Sequence, residues 1–182
     1  MSTSNWTNEI DEITEDFNQN FGELTADQLN WKPNAETWSI AQNMDHLIVI
    51  NESYFPAIKS LHKGTYKTPF TGRFSFLVNF FGRFILKSVQ PDTPKKVKTF
   101  AIWEPTQSEG YSDILSRFKA HQEELKQMIL NSQDLLEKET VISSPANKHI
   151  VYKLDTVFDI IVAHERRHFG QAKEVLKKLK SA

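Results

Sequence analysis

Two observations predict an all-α fold, an antiparallel four-helix bundle with a long crossover between its second and third helices. Apolar residues recur at spacings of three and four along four separate stretches, the signature of helices with one buried face. More than forty residues separate the second stretch from the third, whereas bundle connections usually run about 2–8 residues. With 182 residues, 39% of them hydrophobic and 12% aromatic, the chain has the material for one core and reads as a single domain over 1–182.

The first helix is expected from about Asn5 to Phe21, where Trp6, Ile10, Ile13, Phe17 and Phe21 share a face. The second follows Ser39-Ile40-Ala41-Gln42, which reads as a capping box, and ends before Gly64. Pro56 falls inside it, so a kink or local break is expected there. The third is expected from about Ser108 to Asn131, with Ile114, Phe118, His121, Leu125 and Met128 along one side. The fourth is expected from Asp155, read as its N-cap, to about Lys180. Its last turns carry Lys177, Lys178 and Lys180, which suit the negative end of a helix dipole. Strand content is expected to be trivial.

The crossover is rich in phenylalanine. Phe74, Leu77, Val78, Phe81, Phe84, Ile85 and Ser88 fall at helical spacing, which predicts a short extra helix. Phe76, Phe80 and Leu86 lie off that stripe and need cover. Packing over the bundle is the first reading, a homodimer contact the second and a membrane-surface helix the third. Pro91, Pro94 and Pro105 predict extended chain after it.

Net charge is −1 but unevenly spread. Residues 1–58 hold ten Asp/Glu against one Lys, and residues 59–98 hold nine Lys/Arg against one Asp. That asymmetry would suit an anionic small-molecule substrate near the centre of the chain, with a solvated basic loop as the plainer alternative. The sequence pI near 6.6 and the lack of any recognition signature argue against nucleic acid. There is no cysteine, which excludes disulfides, thiolate metal sites and a cysteine nucleophile. No signal peptide and no apolar run of spanning length is visible, so a cytoplasmic protein without stable membrane contact is expected.

Chemistry concentrates in the fourth helix. Ile161, His164, His168, Ala172, Val175 and Leu179 form one stripe, apolar except for its two histidines. Residues four apart on a helix meet on one face, so the two imidazoles can share a metal ion or form a hydrogen-bonded core pair. Of the other histidines, His62 lies where a helix ends, His149 in a polar connection, and His121 among charged residues that predict a solvated position. His46 falls two turns into the second helix and is the candidate third ligand.

The chain resembles the DinB-like superfamily. The likeness rests on Leu29-Asn30-Trp31-Lys32-Pro33, Thr37-Trp38-Ser39-Ile40-Ala41-Gln42-Asn43-Met44-Asp45-His46-Leu47 and His164-Glu165-Arg166-Arg167-His168-Phe169-Gly170-Gln171. It extends from the first helix to about Lys180, although Thr65 to Thr106 carries no motif. The resemblance implies a four-helix bundle whose metal is held by His46, His164 and His168. One departure is Glu165, where the family often has Asp; on a helix it should point away from the ligands.

Three imidazoles leave coordination positions for water or substrate, which is the catalytic rather than the structural pattern. Imidazole suits zinc, nickel, copper and iron, with zinc or nickel the expected ion. Gln42, Asn43, Asp45 and Glu165 are considered as partners of the ligands, with solvation the alternative for the two acids, and Tyr54 as a pocket residue. Arg73, Arg83 and Lys87 are the candidate anion contacts, on a crossover expected to line the pocket mouth between Thr65 and Lys98. The resemblance implies either a metal-dependent transferase joining a low-molecular-weight thiol to an electrophile or a metal-dependent hydrolase. A non-catalytic metal-binding or stress-response module, and a bundle with a merely structural metal, are the alternatives.

Overall fold

The computed structural model describes residues 2–93, 99–106 and 110–181. It is mostly helical, with one small sheet. Helix α1 (Thr3–Phe21) buries Trp6, Ile10, Ile13, Phe17 and Phe21 on one face, as the sequence predicts. A one-turn helix, α2 (Ala26–Asn30), follows behind a Thr25/Gln28 capping box.

The second predicted helix is two. Helix α3 (Ile40–Glu52) starts at the Ser39/Gln42 capping box, and α4 (Phe55–His62) starts with Pro56 in its first turn. Proline has no N–H to give to Glu52 and its ring crowds that carbonyl. The chain therefore breaks at Ser53–Tyr54 and restarts where proline is tolerated. The crossover contributes a 3-10 turn (Phe70–Arg73), helix α5 (Ser75–Ser88) and a second 3-10 turn (Ala101–Trp103).

Helix α6 (Ile114–Leu130) begins later than the expected Ser108, which lies outside the described residues, as does Pro94. A short helix, α7 (Gln133–Glu137), leads into an antiparallel hairpin of β1 (Val141–Ser144) and β2 (Asn147–Lys153). The hairpin departs from the all-helical expectation. It places His149 exposed on a strand rather than in a connection, and it buries Ile142, Val151 and Tyr152. Helix α8 (Leu154–Leu179) continues straight out of β2, with Lys153 rather than Asp155 at its N-cap.

Helix α1 packs on α6 and α8, and α3 packs on the same two. The core lies among these four: Phe17, Phe118 and Phe169 meet at centroid distances of 4.7 and 5.2 Å, and Trp6 stands edge-on to Phe158 at 5.3 Å. On the rim, Arg166 of α8 holds Glu9 and Glu12 of α1. Helix α5 lies on β2 and α8. Gly82 permits that approach, since a Cβ there would stand 3.1 Å from Thr156 Cγ2. Val78 and Gly82 are buried on this inner side, while Phe84, which the periodicity also placed inward, is exposed.

Candidate metal centre

The capping box fixes where α3 begins, and so the turn on which His46 stands. Helix α8 presents His164 and His168 one turn apart on its buried side. Where the two helices pack, ligand atoms of all three imidazoles lie within 4.8 Å of one another. The ring centroids are 5.1 Å apart for His46 and His164, 4.7 Å for His46 and His168, and 4.5 Å for His164 and His168.

The outer nitrogens are engaged. His46 Nδ1 lies 2.6 Å from the Trp103 carbonyl, an acceptor, so it carries the proton and leaves Nε2 bare. His168 Nδ1 lies 2.8 Å from Asn43 Oδ1. Asn43 is oriented in turn by donating its Nδ2 to the Ser39 carbonyl at 2.8 Å. His168 Nε2 is therefore also a bare acceptor, 3.0 Å from His164 Nε2. Burial holds all three imidazoles below the usual histidine range, for His164 and His168 well below it. They are neutral near pH 7, the form that ligates a metal.

The separation fits an ion. Two nitrogens each about 2.0–2.1 Å from one metal stand about 2.9 Å apart at a right angle and about 3.4 Å apart at the tetrahedral angle. The observed 3.0 Å lies between these. Among the described residues the cluster has no carboxylate member.

Trp38 forms one wall, stacked on His168 at 5.9 Å and tilted against His46 at 4.9 Å. Trp103 forms another element of the surround and donates its indole N–H to Ser53 Oγ at 3.0 Å. Asp45 holds this part of the crossover in place. It is fully buried, not solvated, and accepts from Thr106 N at 2.7 Å, Thr106 Oγ1 at 2.9 Å, Tyr111 OH at 3.0 Å and Arg117 Nη2 at 3.1 Å. On the far side, Asn30 exchanges two 2.8 Å hydrogen bonds with the Tyr111 backbone.

Glu165 is likewise buried rather than solvated. It accepts from Asn51 Nδ2 at 2.8 Å and Gln122 Nε2 at 2.9 Å, on the side of α8 away from the cluster. Desolvation outweighs these two donors and raises its carboxyl to about 7. His121 belongs to this second polar group, 3.2 Å from Asn51 Nδ2 and stacked on Phe55. It is buried, against the solvated position expected, and desolvation lowers it to about 4.

Other sequence-predicted positions fall elsewhere. Gln42 spends its side chain on the capping box. Tyr54 is a core residue whose hydroxyl pairs with Tyr152 at 2.7 Å. Arg73 lies over the Phe70 ring, and Arg83 and Lys87 are exposed on the outer face of α5. Among the described residues of the crossover, Trp103 and Thr106 make hydrogen bonds to α3 beside the cluster, whereas the segment expected there was Thr65–Lys98, whose last five residues lie outside the described residues.

Fold and site together define a helical protein with a buried, three-histidine cluster able to hold a metal ion. The chain belongs to the DinB superfamily, whose family model matches residues 9–172. Comparison with curated proteins and with solved structures finds no significant match.

Proposed function

We propose that this protein is a metal-dependent enzyme that transfers a small-molecule thiol to an electrophile, with His46, His164 and His168 as the ligands and an antiparallel bundle of α1, α3, α6 and α8 as the scaffold. The observation that carries the reading is the donor set: three neutral imidazoles, two with their outer N–H engaged, and among the described residues no fourth His, Asp or Glu in the cluster. A divalent zinc or nickel ion held there supplies Lewis acidity, which stabilises a thiolate or hydroxide near neutral pH.

The chain's own residues do the rest. Asn43 and the Trp103 carbonyl hold two rings in the ligating tautomer. Trp38 offers an apolar wall beside them. The two nearby acids are committed to their own buried partners, Asp45 to Arg117 and Glu165 to Asn51 and Gln122. This leaves ionisation of the nucleophile to the metal, and a thiol, several pKa units more acidic than water before it binds, asks less of the metal than water does. With no cysteine in the chain, that thiol comes from a small molecule. In the reaction the thiol gives its proton to solvent, its sulfur electron pair forms the bond to the electrophilic carbon, and the bond from that carbon to the leaving group breaks, the leaving group departing with its electron pair.

The test is to incubate metal-loaded protein with a panel of low-molecular-weight thiols and a generic alkylating electrophile. The reading expects thioether formation above the uncatalysed rate with at least one thiol, lost in His46→Ala. Full metal occupancy with no acceleration by any thiol would leave a binding module instead.

A further inference from the structure

We propose that the outer face of α5, with the 3-10 turn before it, is a docking surface for anionic lipid membranes. Phe76, Phe80 and Phe84 follow one another at i, i+4 and i+8, and are 67%, 60% and 61% exposed. Phe80 and Phe84 stack at 6.2 Å and 15°. The row continues through Phe74 to Phe70, itself 68% exposed, by ring contacts of 6.1 and 5.2 Å. The opposite side of α5 is already occupied, since Val78 and Gly82 are buried against the rest of the fold. The aromatic row is therefore a second apolar face that no described residue covers, and a contiguous patch of this kind marks an interaction surface.

Charge decides the occupant. From Ser53 to Pro91 the chain has no Asp or Glu and carries six Lys/Arg. Arg83 and Lys87 line the same shallow trough as the three phenylalanines. Neither they nor Arg73 forms an ion pair among the described residues. Phenylalanines rimmed by unpaired cations match the chemistry of an interfacial helix on anionic headgroups. A second copy of the same face would bring like charges together. At 14 residues α5 is too short to span a bilayer, and no described helix is long and apolar enough to do so. Docking in the plane of the interface is what remains.

The experiment is co-sedimentation of the full-length protein with vesicles of phosphatidylcholine, with and without roughly a third phosphatidylglycerol. Three proteins are compared: wild type, Phe76→Ser/Phe80→Ser/Phe84→Ser, and Arg83→Gln/Lys87→Gln. Circular dichroism checks that each keeps its helix content, which exposed positions should permit. Wild type should sediment with the anionic vesicles and much less with the neutral ones. The triple phenylalanine variant should lose at least about tenfold in partitioning, and the charge variant about fivefold per charge removed. Absence of binding, equal binding to neutral vesicles, or undiminished binding by the triple variant would each overturn the proposal. A dimer seen by analytical ultracentrifugation that the triple variant abolishes, with no vesicle binding, would overturn it in favour of self-association. Preference for polyglutamate over vesicles would overturn it in favour of an acidic protein partner.

Discussion

Asn43 shows how much one side chain carries at the cluster. Its carbonyl oxygen fixes the His168 tautomer and its amide is tied to Ser39. Asn43→Ala should therefore weaken metal affinity about 10–100-fold with little loss of helix content, measured by competition with a chromogenic chelator. His121 gives a prediction of a different kind. Its folded-state pKa of about 4 lies below the ordinary 6.5, so between those values the unfolded chain binds more protons. The stability it confers is complete above pH 6.5 and declines as pH falls toward 4, by up to about 3 kcal/mol. In His121→Phe, which keeps a ring against Phe55, this decline should vanish. Urea midpoints of the two proteins should then diverge below pH 6.5, in the direction that favours the variant. His164 and His168 were legible in the sequence from their spacing on an apolar helix stripe, His46 from its place after the capping box together with the family resemblance, and Asn43 only as one of several polar neighbours. Asp45, His121 and Glu165 were not. Charged and polar residues read as surface, and the partners that make their burial tolerable, such as Tyr111, Arg117, Gln122 and Asn51, lie 43 to 114 residues away.

Among the elements, the crossover is where structure adds most to sequence. Periodicity is enough to find α1, α3, α5, α6 and α8, and proline chemistry is enough to find the break before α4. The hairpin escapes such reading. Its strands are short, its turn at Pro145–Ala146 lacks the usual glycine, and β2 passes into α8 without an intervening loop. The approach of residues 101–106 to His46 depends on Asp45, whose acceptors all serve residues far along the chain. Asp45→Ala removes the buried carboxylate that accepts from Thr106, Tyr111 and Arg117 and should cost about 3 kcal/mol in chemical denaturation. It should also lower metal affinity, because the Trp103 carbonyl is no longer held against His46. Full stability in that variant would deny the Asp45 hydrogen bonds their structural role. At the docking of α5, Gly82→Val places branched carbons against Thr156 and should destabilise by about 1–3 kcal/mol.

At the scale of the whole molecule, acidic α1 and α3 and the basic crossover are parts of one chain with almost no net charge. Net charge is thus a poor guide to its surfaces, and the regional imbalance is the useful quantity. On the proposed function, α3 and α8 meet around one metal ion held by His46, His164 and His168. Elemental analysis of purified protein, loaded with zinc or nickel and then dialysed, tests it most directly when run beside His46→Ala, His164→Ala and His168→Ala. Wild type should retain about one ion per chain, and each variant less than about a tenth of that. A wild type that retains no ion, or a His46→Ala variant that retains a full one, would contradict it.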